Sequence, residues 1–271
     1  MLNGTTVTSA AIVGQPGLGW RIAGSGDFNG DSRSDILLQN NDNGDIAVWL
    51  MNGLTIQGAG VVGRPGRSWV ALGAADVNGD GRSDIVIRNI ADGNIGGWIM
   101  NGLTLVSGAV FANPGINWSA PGAGDFDADG KMDIIVRNES NGDVGIWLLN
   151  GLSIRSAALV GSPGLGFDIR GAADISGDGR ADFILQNRAN GDVSAWLMNG
   201  FTISSAGVLA SPGTAWKPVG FGDFNLDGRR DLVVRNFSDG TLGAWQMNGL
   251  AIASGAGIGN PGPIWMAIGA R

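Results

Sequence analysis

A nine-residue segment rich in oxygen-bearing side chains occurs five times in the chain, at a fixed interval of 49 residues. Its first copy runs from Asp27 to Asp35 and reads DFNGDSRSD; the others begin at Asp76, Asp125, Asp174 and Asp223. Positions 1, 3, 5 and 9 carry carboxylate, amide or hydroxyl oxygens, and position 7 adds a backbone carbonyl. Oxygen ligands at such spacing suit Ca²⁺. Each segment, called here the Asp loop, therefore predicts a calcium site.

The predicted ligands occupy equivalent positions of the five loops, and the Arg and Lys residues among them would contribute only their backbone carbonyls. They are Asp27, Asn29, Asp31, Arg33, Asp35, Asp76, Asn78, Asp80, Arg82, Asp84, Asp125, Asp127, Asp129, Lys131, Asp133, Asp174, Ser176, Asp178, Arg180, Asp182, Asp223, Asn225, Asp227, Arg229 and Asp231. Position 6 is glycine in four loops, where a positive φ is expected, and Ser32 in the first. Ser32 and Ser176 predict weaker binding in loops one and four.

Charge supports a cation over the alternative of a plain Asx-rich turn without metal. Sixteen of the 24 acidic residues lie in the Asp loops. Carboxylates this close repel one another unless a cation or protons intervene. Five Ca²⁺ ions would change the formal charge from −7 to +3. We expect the ions to be structural, replacing the disulfides that a cysteine-free chain lacks.

Composition excludes several function classes. Cysteine and histidine are absent, which removes disulfides, thiolate chemistry, the usual zinc sites and His-based triads. The net charge of −7 argues against a nucleic-acid partner. No apolar stretch is long enough to span a membrane. No signal peptide is visible. The absence of cysteine fits an extracellular protein but is equally allowed in the cytosol; we expect a secreted or cell-surface protein.

Four short β-strands are predicted in each repeat. In the first repeat these are strand A (about Trp20–Ser25), strand B (Ile36–Asn40), strand C (Ile46–Met51) and strand D (about Thr55–Val62). The Asp loop joins A to B, Asn43-Gly44 joins B to C in a predicted type I′ turn, and Asn52-Gly53 joins C to D. A tryptophan in every strand C follows a small residue two positions earlier, which indicates packing against a neighbouring sheet.

A four-stranded meander cannot bury both of its faces, so the repeats are predicted to stack radially as an all-β propeller. GDFNGDSRSDILLQN and AADVNGDGRSDIVIRN resemble FG-GAP (VCBS-type) repeats. These are the repeats of the integrin α-subunit propeller and of integrin-like propeller lectins of the Psathyrella velutina type. The resemblance covers almost the whole chain and implies a calcium-dependent propeller.

The chain is predicted to form one domain, 1–271, with repeats at about 20–68, 69–117, 118–166, 167–215 and 216–264. Residues 1–19 and 265–271 supply a lone strand D and a lone strand A, which we expect to take part in ring closure. Five blades are favoured. Six blades, or an open fragment completed by homo-oligomerisation, are the alternatives.

Strand direction places aromatic, amide and guanidinium groups together at the rim opposite the Asp loops. Such a surface suits a sugar, which stacks on a ring while its hydroxyls form hydrogen bonds. The candidate ligand-binding residues are Trp20, Gln39, Asn40, Trp69, Arg88, Asn89, Trp118, Arg137, Asn138, Gln186, Asn187, Trp216, Arg235 and Asn236. The alternative is that the rings pack between blades and the Asn side chains satisfy turn backbone.

The resemblance to propeller lectins favours sugar binding, with glycans as partners. A protein–protein adhesion module with a protein ligand, and a structural or engineered repeat scaffold, remain alternatives. Catalysis is not expected, because nearly all carboxylates belong to the repeated loops and no unique pair is available for glycoside hydrolysis.

Overall fold

The computed structural model describes residues 2–265, and this part of the chain contains 22 β-strands and no helix. Twenty strands form five four-stranded sheets that follow one another along the chain as the blades of a propeller ring. The other two, β1 (Leu2–Asn3) and β2 (Thr6–Val7), form a small hairpin at the N-terminus. No helix long and apolar enough to cross a bilayer occurs within residues 2–265.

Each blade contains its strands A to D in sequence order. Blade 1 has β3 (Trp20–Gly26), β4 (Asp35–Asn40), β5 (Ile46–Asn52) and β6 (Thr55–Gly63). Blade 2 has β7 (Trp69–Ala75), β8 (Asp84–Asn89), β9 (Ile95–Asn101) and β10 (Thr104–Ala112). Blade 3 has β11 (Trp118–Gly124), β12 (Asp133–Asn138), β13 (Val144–Leu149) and β14 (Ile154–Gly161). Blade 4 has β15 (Phe167–Ala173), β16 (Asp182–Asn187), β17 (Val193–Asn199) and β18 (Thr202–Ala210). Blade 5 has β19 (Trp216–Gly222), β20 (Asp231–Asn236), β21 (Leu242–Asn248) and β22 (Ala251–Gly259).

The predicted all-β propeller of four-stranded, 49-residue repeats is confirmed, and the strand limits differ from the prediction by one residue at most. All pairings within a blade are antiparallel, with Trp20 opposite Asn40 and Ile36 opposite Trp49 in blade 1. Strand A bulges in each blade, between Ile22 and Gly24 in the first. Of the predicted partial repeat 265–271, all but Trp265 lies outside the described residues.

The turns occur where predicted, but the type I′ prediction for Asn43-Gly44 is wrong. Only Gly44 has a positive φ, of 84°, whereas a type I′ turn needs two such residues. The N–H of Asn40 donates to the carbonyl of Asp45, so the connection is a four-residue loop closed by glycine. A Cβ on Gly44 would lie 2.4 Å from the carbonyl carbon of Gly66, in the link to blade 2. The close approach of the Gly66 backbone is therefore a second reason why position 44 requires glycine.

The core lies between the blades, as the strand C tryptophans suggested. Blades 1 and 2 share an apolar cluster that includes Phe28, Leu37 and Ile85, each fully buried, and Trp98 packs against it. A Cβ on Gly63 of blade 1 would lie 2.3 Å from the ring of Trp98. Similar clusters join blades 2 and 3, 3 and 4, and 4 and 5. Burying each large apolar side chain contributes about 1.5–3 kcal/mol, so stability depends on neighbouring blades.

Candidate functional site

The Asp loops are held in shape by hydrogen bonds from their own backbone. The position-1 carboxylate accepts the N–H of position 6, at 2.6 Å from Ser32 to Asp27 and at 2.8–3.0 Å in the other loops. The position-5 carboxylate accepts the N–H of position 7 at 2.8–2.9 Å in all five. The position-1 carboxylates are those of Asp27, Asp76, Asp125, Asp174 and Asp223. The position-5 carboxylates are those of Asp31, Asp80, Asp129, Asp178 and Asp227. These contacts also occur in an Asx-rich turn, so they leave both predictions of the loop open.

Positive φ angles explain the residue types at positions 4 and 6. At position 6, the predicted positive φ is confirmed: it is 82–86° at the four glycines and 65° at Ser32. Position 4 has the same requirement, which the sequence reasoning missed. Ala128 and Leu226 adopt φ of 62° and 60° there, and the other three loops use glycine. Glycine at position 4 of three loops was the signal that could have revealed it.

The position-9 carboxylates are fully buried. Each accepts a backbone N–H from position 2 of its own loop and another from strand C, as Asp133 does from Phe126 and Leu149, both at 2.9 Å. Burial raises the pKa to about 6 for Asp133 and to about 7 for Asp84 and Asp182. The negative charges of the carboxylates at positions 1 and 5 raise these pKa values further, whereas the backbone N–H donors lower them. The pKa of the remaining two, Asp35 and Asp231, is also raised by burial.

The third loop brings three carboxylates together. Asp125, Asp127 and Asp133 each offer an oxygen, and the three atoms lie within 4.8 Å of one another. The Oδ1 atom of Asp127 is buried and has no hydrogen-bond partner among the described residues. Its Oδ2 pairs with the guanidinium of Arg155 on β14, which also lies 3.7 Å from Asp129. An orphaned oxygen in a carboxylate cluster fits a hard cation.

The remaining predicted ligands of the Asp loops lie beside these carboxylates. The position-3 amides Asn29, Asn78 and Asn225 donate to the position-5 carboxylates at 3.0–3.3 Å, and the hydroxyl of Ser176 donates to Asp174 at 3.2 Å. At position 7, the side chains of Arg33, Arg82, Lys131 and Arg229 pair with position 5 at 3.2–3.9 Å. Arg180 donates its backbone N–H to Asp178 at 2.9 Å.

The loops are linked into a belt along one end of the ring. The N–H of Ser83 donates to the carbonyl of Asp27 in the preceding blade at 2.6 Å, and three equivalent bonds of 2.7–2.8 Å follow around the ring. The C–D turns of blades 2 to 5 also contact the preceding loop, as Gly102 N–H does with the carbonyl of Phe28 at 2.8 Å. Loop conformation and blade packing are therefore connected.

The Gln/Arg column of the predicted sugar site joins neighbouring blades. Gln39, Arg137, Gln186 and Arg235 are 2–3% exposed. The amide of Gln39 donates to the carbonyl of Trp69 at 2.7 Å, and the amide of Gln186 to that of Trp216 at 2.6 Å. Arg137 donates to the carbonyls of Phe167 and Gly164. Arg235 contacts the carbonyls of residues 262 and 263, and the half-buried Arg88 that of Ile116.

The Asn column caps the B–C turns. In each blade the side-chain oxygen accepts a backbone N–H two residues later, at 2.8–2.9 Å. The five residues are Asn40, Asn89, Asn138, Asn187 and Asn236. Four of them lie opposite a strand A tryptophan of the same blade, as Asn89 does opposite Trp69. Turn capping is the role that the alternative interpretation expected.

The aromatic column is half-buried, and one of its members borders a cavity. Trp69 and Trp118 pack against inter-blade clusters, and Trp216 lies over Gly243 of its own blade, as a Cβ there would be 3.8 Å from the ring. Trp20 is half-buried at the start of blade 1. Beside Trp118, on the face of blade 3 that is turned to blade 2, is a cavity of about 420 Å³. It is lined by Pro114, Trp118, Val136, Gly145, Trp147 and Ala157–Leu159.

The FG-GAP-like repeat model matches residues 27–87, 76–136, 125–185 and 174–234. The chain belongs to the FG-GAP-like repeat family. Its matched segments overlap and run from the first Asp loop into the fifth, so the Asp loops are part of what defines the family match. Among curated protein sequences, none matches the chain significantly.

Solved structures share the propeller fold. A lectin of Agrocybe aegerita, described for specific recognition of non-reducing terminal N-acetylglucosamine, is 20% identical with a TM-score of 0.62. The alignment covers 90% of this FG-GAP-like chain and 68% of the lectin. A chain of a nidogen/laminin complex is 13% identical with a TM-score of 0.57, over 86% and 79% of the two chains. The Tc holotoxin pore of Photorhabdus luminescens has a TM-score of 0.54 at 15% identity, over 90% of this chain and 12% of that one.

Proposed function

We propose that this protein is a calcium-stabilised lectin whose principal sugar site is the cavity beside Trp118. The observation that carries the proposal is a volume of about 420 Å³ bordered by two indole rings, Trp118 and Trp147. Small-molecule sites commonly enclose 300–1,000 Å³. Indole rings suit the C–H face of a pyranose, and the apolar lining suits an acetamido methyl group.

Polar contacts in this site would come from backbone atoms and from residues near the rim. Strand β14 is the outer edge of its sheet, so alternate N–H and C=O groups along Ala157–Leu159 have no partner strand on that side. They are available to sugar hydroxyls. The buried Gln and Arg residues act instead by holding neighbouring blades in register. The similarity of fold to the Agrocybe aegerita lectin, which recognises terminal N-acetylglucosamine, supports the choice of ligand class.

Calcium in the proposal has a structural role. Carboxylates from positions 1, 3 and 9 of loop three lie together, and one oxygen of Asp127 has no hydrogen-bond partner among the described residues, which supports a hard cation there. Bound Ca²⁺ would offset the repulsion among these carboxylates and fix the loop belt. FG-GAP-like repeats are typical of extracellular proteins, and we place this one outside the cell or on its surface.

The test pairs two equivalent tryptophans. We expect Trp118→Ala to abolish binding to a glycan array and to free N-acetylglucosamine while the circular dichroism spectrum is retained. Trp69→Ala is the matched control for lost packing, because its ring packs against the cluster between blades 1 and 2 as that of Trp118 does against the cluster between blades 2 and 3. It should lower the melting temperature and preserve binding. If Trp118→Ala leaves binding unchanged, the cavity is not the sugar site.

A protein ligand is a second candidate, because apolar side chains are exposed at the rim opposite the Asp loops. Five large ones are at least 46% exposed in the B–C turns and D–A links: Leu18, Ile90, Ile116, Leu165 and Phe237. Repeated exposure at one end of a ring suits a protein interface. Saturable binding of a protein ligand to this rim, together with no binding on the glycan array, would favour a role in protein–protein adhesion.

A further inference from the structure

We propose that the space between blade 5 and blade 1, called here the sixth position, is a docking site for strands A to C of one more FG-GAP-like repeat. Residues 2–19 lie at this position and contact both neighbouring blades. The inference concerns ring completion and is independent of the proposed sugar site.

The N-terminal segment occupies the place of a C–D turn and an outer strand. Gly4 donates its N–H to the carbonyl of Phe224 in blade 5, just as Gly249 does to Ile175 one blade earlier. At the other end, a Cβ on Gly14 would lie 2.6 Å from the ring of Trp49 in blade 1. Gly14 therefore contacts blade 1 as Gly63 contacts blade 2. The segment is the outer part of a blade whose strands A to C are not formed by residues 2–265.

Backbone groups at the two ends of the loop belt complement another Asp loop. Between successive blades, the position-8 N–H donates to the position-1 carbonyl, as Arg230 does to Asp174 at 2.7 Å. At the sixth position, the equivalent groups are the carbonyl of Asp223 and the N–H of Ser34, and neither has such a partner within residues 2–265. An added Asp loop would supply an N–H for the first and a carbonyl for the second.

The N–H of Gly53 gives a third unmatched group of the same kind. The glycine at this turn position contacts the preceding Asp loop in every later blade, through bonds of 2.8–3.1 Å. For Gly53, that preceding loop would belong to the sixth position. No residue of the described part of the chain supplies its carbonyl. Three backbone groups thus require the same occupant, which is an Asp loop in the same orientation as the other five.

The blade faces that border the sixth position carry apolar residues that are more exposed than their equivalents elsewhere in the ring. On blade 1, Ile22 is 42% exposed, whereas the equivalent Ala71 of blade 2 is 3% exposed. Ile36 is half-buried, whereas the equivalent Ile85 is fully buried. On blade 5 the half-buried residues are Phe224, Val233 and Leu242, whose blade 1 counterparts Phe28, Leu37 and Ile46 are fully buried. The two faces match those that make the inter-blade clusters.

A further FG-GAP-like repeat, outside the five blades of residues 2–265, fits better than a second copy of this chain. All five sheets of a second copy are used in its own ring, so it could offer strands A to C only by unfolding a blade. The chemistry of the occupant is therefore that of an FG-GAP-like segment, with an Asp loop between two β-strands and a third strand carrying a tryptophan.

The first test uses a labelled polypeptide with the sequence of residues 118–150, which spans strands A to C of blade 3. Added to the full chain in calcium, it should form a one-to-one complex by native mass spectrometry and fluorescence anisotropy. Ile36→Asp should weaken binding at least tenfold. Val106→Asp is the matched control, because Val106 is 61% exposed on β10, away from the sixth position. Equal binding by both variants, or a dimer of the full chain in place of the complex, overturns the proposal.

A second test does not depend on the solubility of the free segment. A copy of residues 69–98, placed directly before Met1, restores the repeat spacing ahead of Asn3-Gly4. We expect this extended chain to melt several degrees higher than a control that carries the same residues in scrambled order. If the two melt together, the sixth position does not accept a repeat.

Discussion

The buried position-9 carboxylates predict an unusual pH dependence for the calcium-free protein. An acid whose folded pKa lies above its unfolded value favours folding most when it is protonated in both states. Its contribution is complete below the unfolded pKa of 3.8 and is lost as the pH rises through the folded pKa, which is about 7 for Asp84 and Asp182. Without calcium, we therefore expect stability to fall between about pH 4 and pH 7.

The magnitude follows from the pKa differences. One pKa unit corresponds to about 1.4 kcal/mol, so Asp84 and Asp182 each cost about 4 kcal/mol at neutral pH and Asp133, with a pKa of about 6, about 3 kcal/mol. Together the three amount to roughly 11 kcal/mol, which is comparable to the whole stability of a typical domain. A bound cation removes this cost, because it favours the ionised carboxylates.

The assay is urea unfolding of chelator-treated protein at pH 4.5, 6 and 7.5, with and without millimolar calcium. We expect the calcium-free midpoint to fall as the pH rises, and calcium to restore it at pH 7.5. Asp84→Asn should reduce the pH dependence without abolishing it, because an amide cannot ionise and the other position-9 carboxylates remain. A calcium-free midpoint that is flat or rises with pH would refute the reasoning, since the backbone N–H donors alone would then keep these carboxylates ionised.

Three further predictions concern the blade contacts and the third loop. Arg137→Leu should destabilise the protein by about 2–4 kcal/mol in urea unfolding, because it removes a buried guanidinium that donates to the carbonyls of Phe167 and Gly164. Gly142→Ala should cost at least about 2 kcal/mol, because φ is +84° and a Cβ would lie 2.4 Å from backbone. Gly257→Ala, whose Cβ would meet only an atom 3.9 Å away, is the control and should stay within about 0.5 kcal/mol of the parent. Arg155→Gln should raise the calcium affinity of loop three severalfold by isothermal titration calorimetry, because a competing guanidinium is removed.

The fold could be predicted because five copies of one pattern repeat every local signal. The residue pattern of strand C around Trp49 recurs at 49-residue steps, as do the turn glycines and the Asp loop. The strand limits could therefore be predicted to within one residue. The type I′ prediction failed for a local reason. An Asn-Gly pair permits two positive φ angles but does not require them, and at Gly44 the approach of the next link selects a longer loop.

The candidate sugar site was harder to predict because polarity alone does not reveal burial. Gln39 and Arg137 have the donors that a sugar site needs, yet the next blade reaches both with backbone carbonyls 30 residues ahead in the chain. Only the relative placement of two blades shows this. The cavity beside Trp118 likewise depends on how the strands of blade 3 and the link at Pro114 come together, although the tryptophan itself could be singled out from the repeat.

The repeats also serve as internal controls, and loop three is where they differ most. It alone has an Asp at position 3, Asp127, and its repeat alone has an Arg at the position of Arg155, where the others have Gln57, Val106, Ser204 and Ala253. The extra carboxylate and the extra guanidinium contact each other. The pair leaves one oxygen of Asp127 without a partner among the described residues. Because the added carboxylate is only partly offset by the guanidinium from strand D, we expect loop three to differ from the other four in its affinity for a cation.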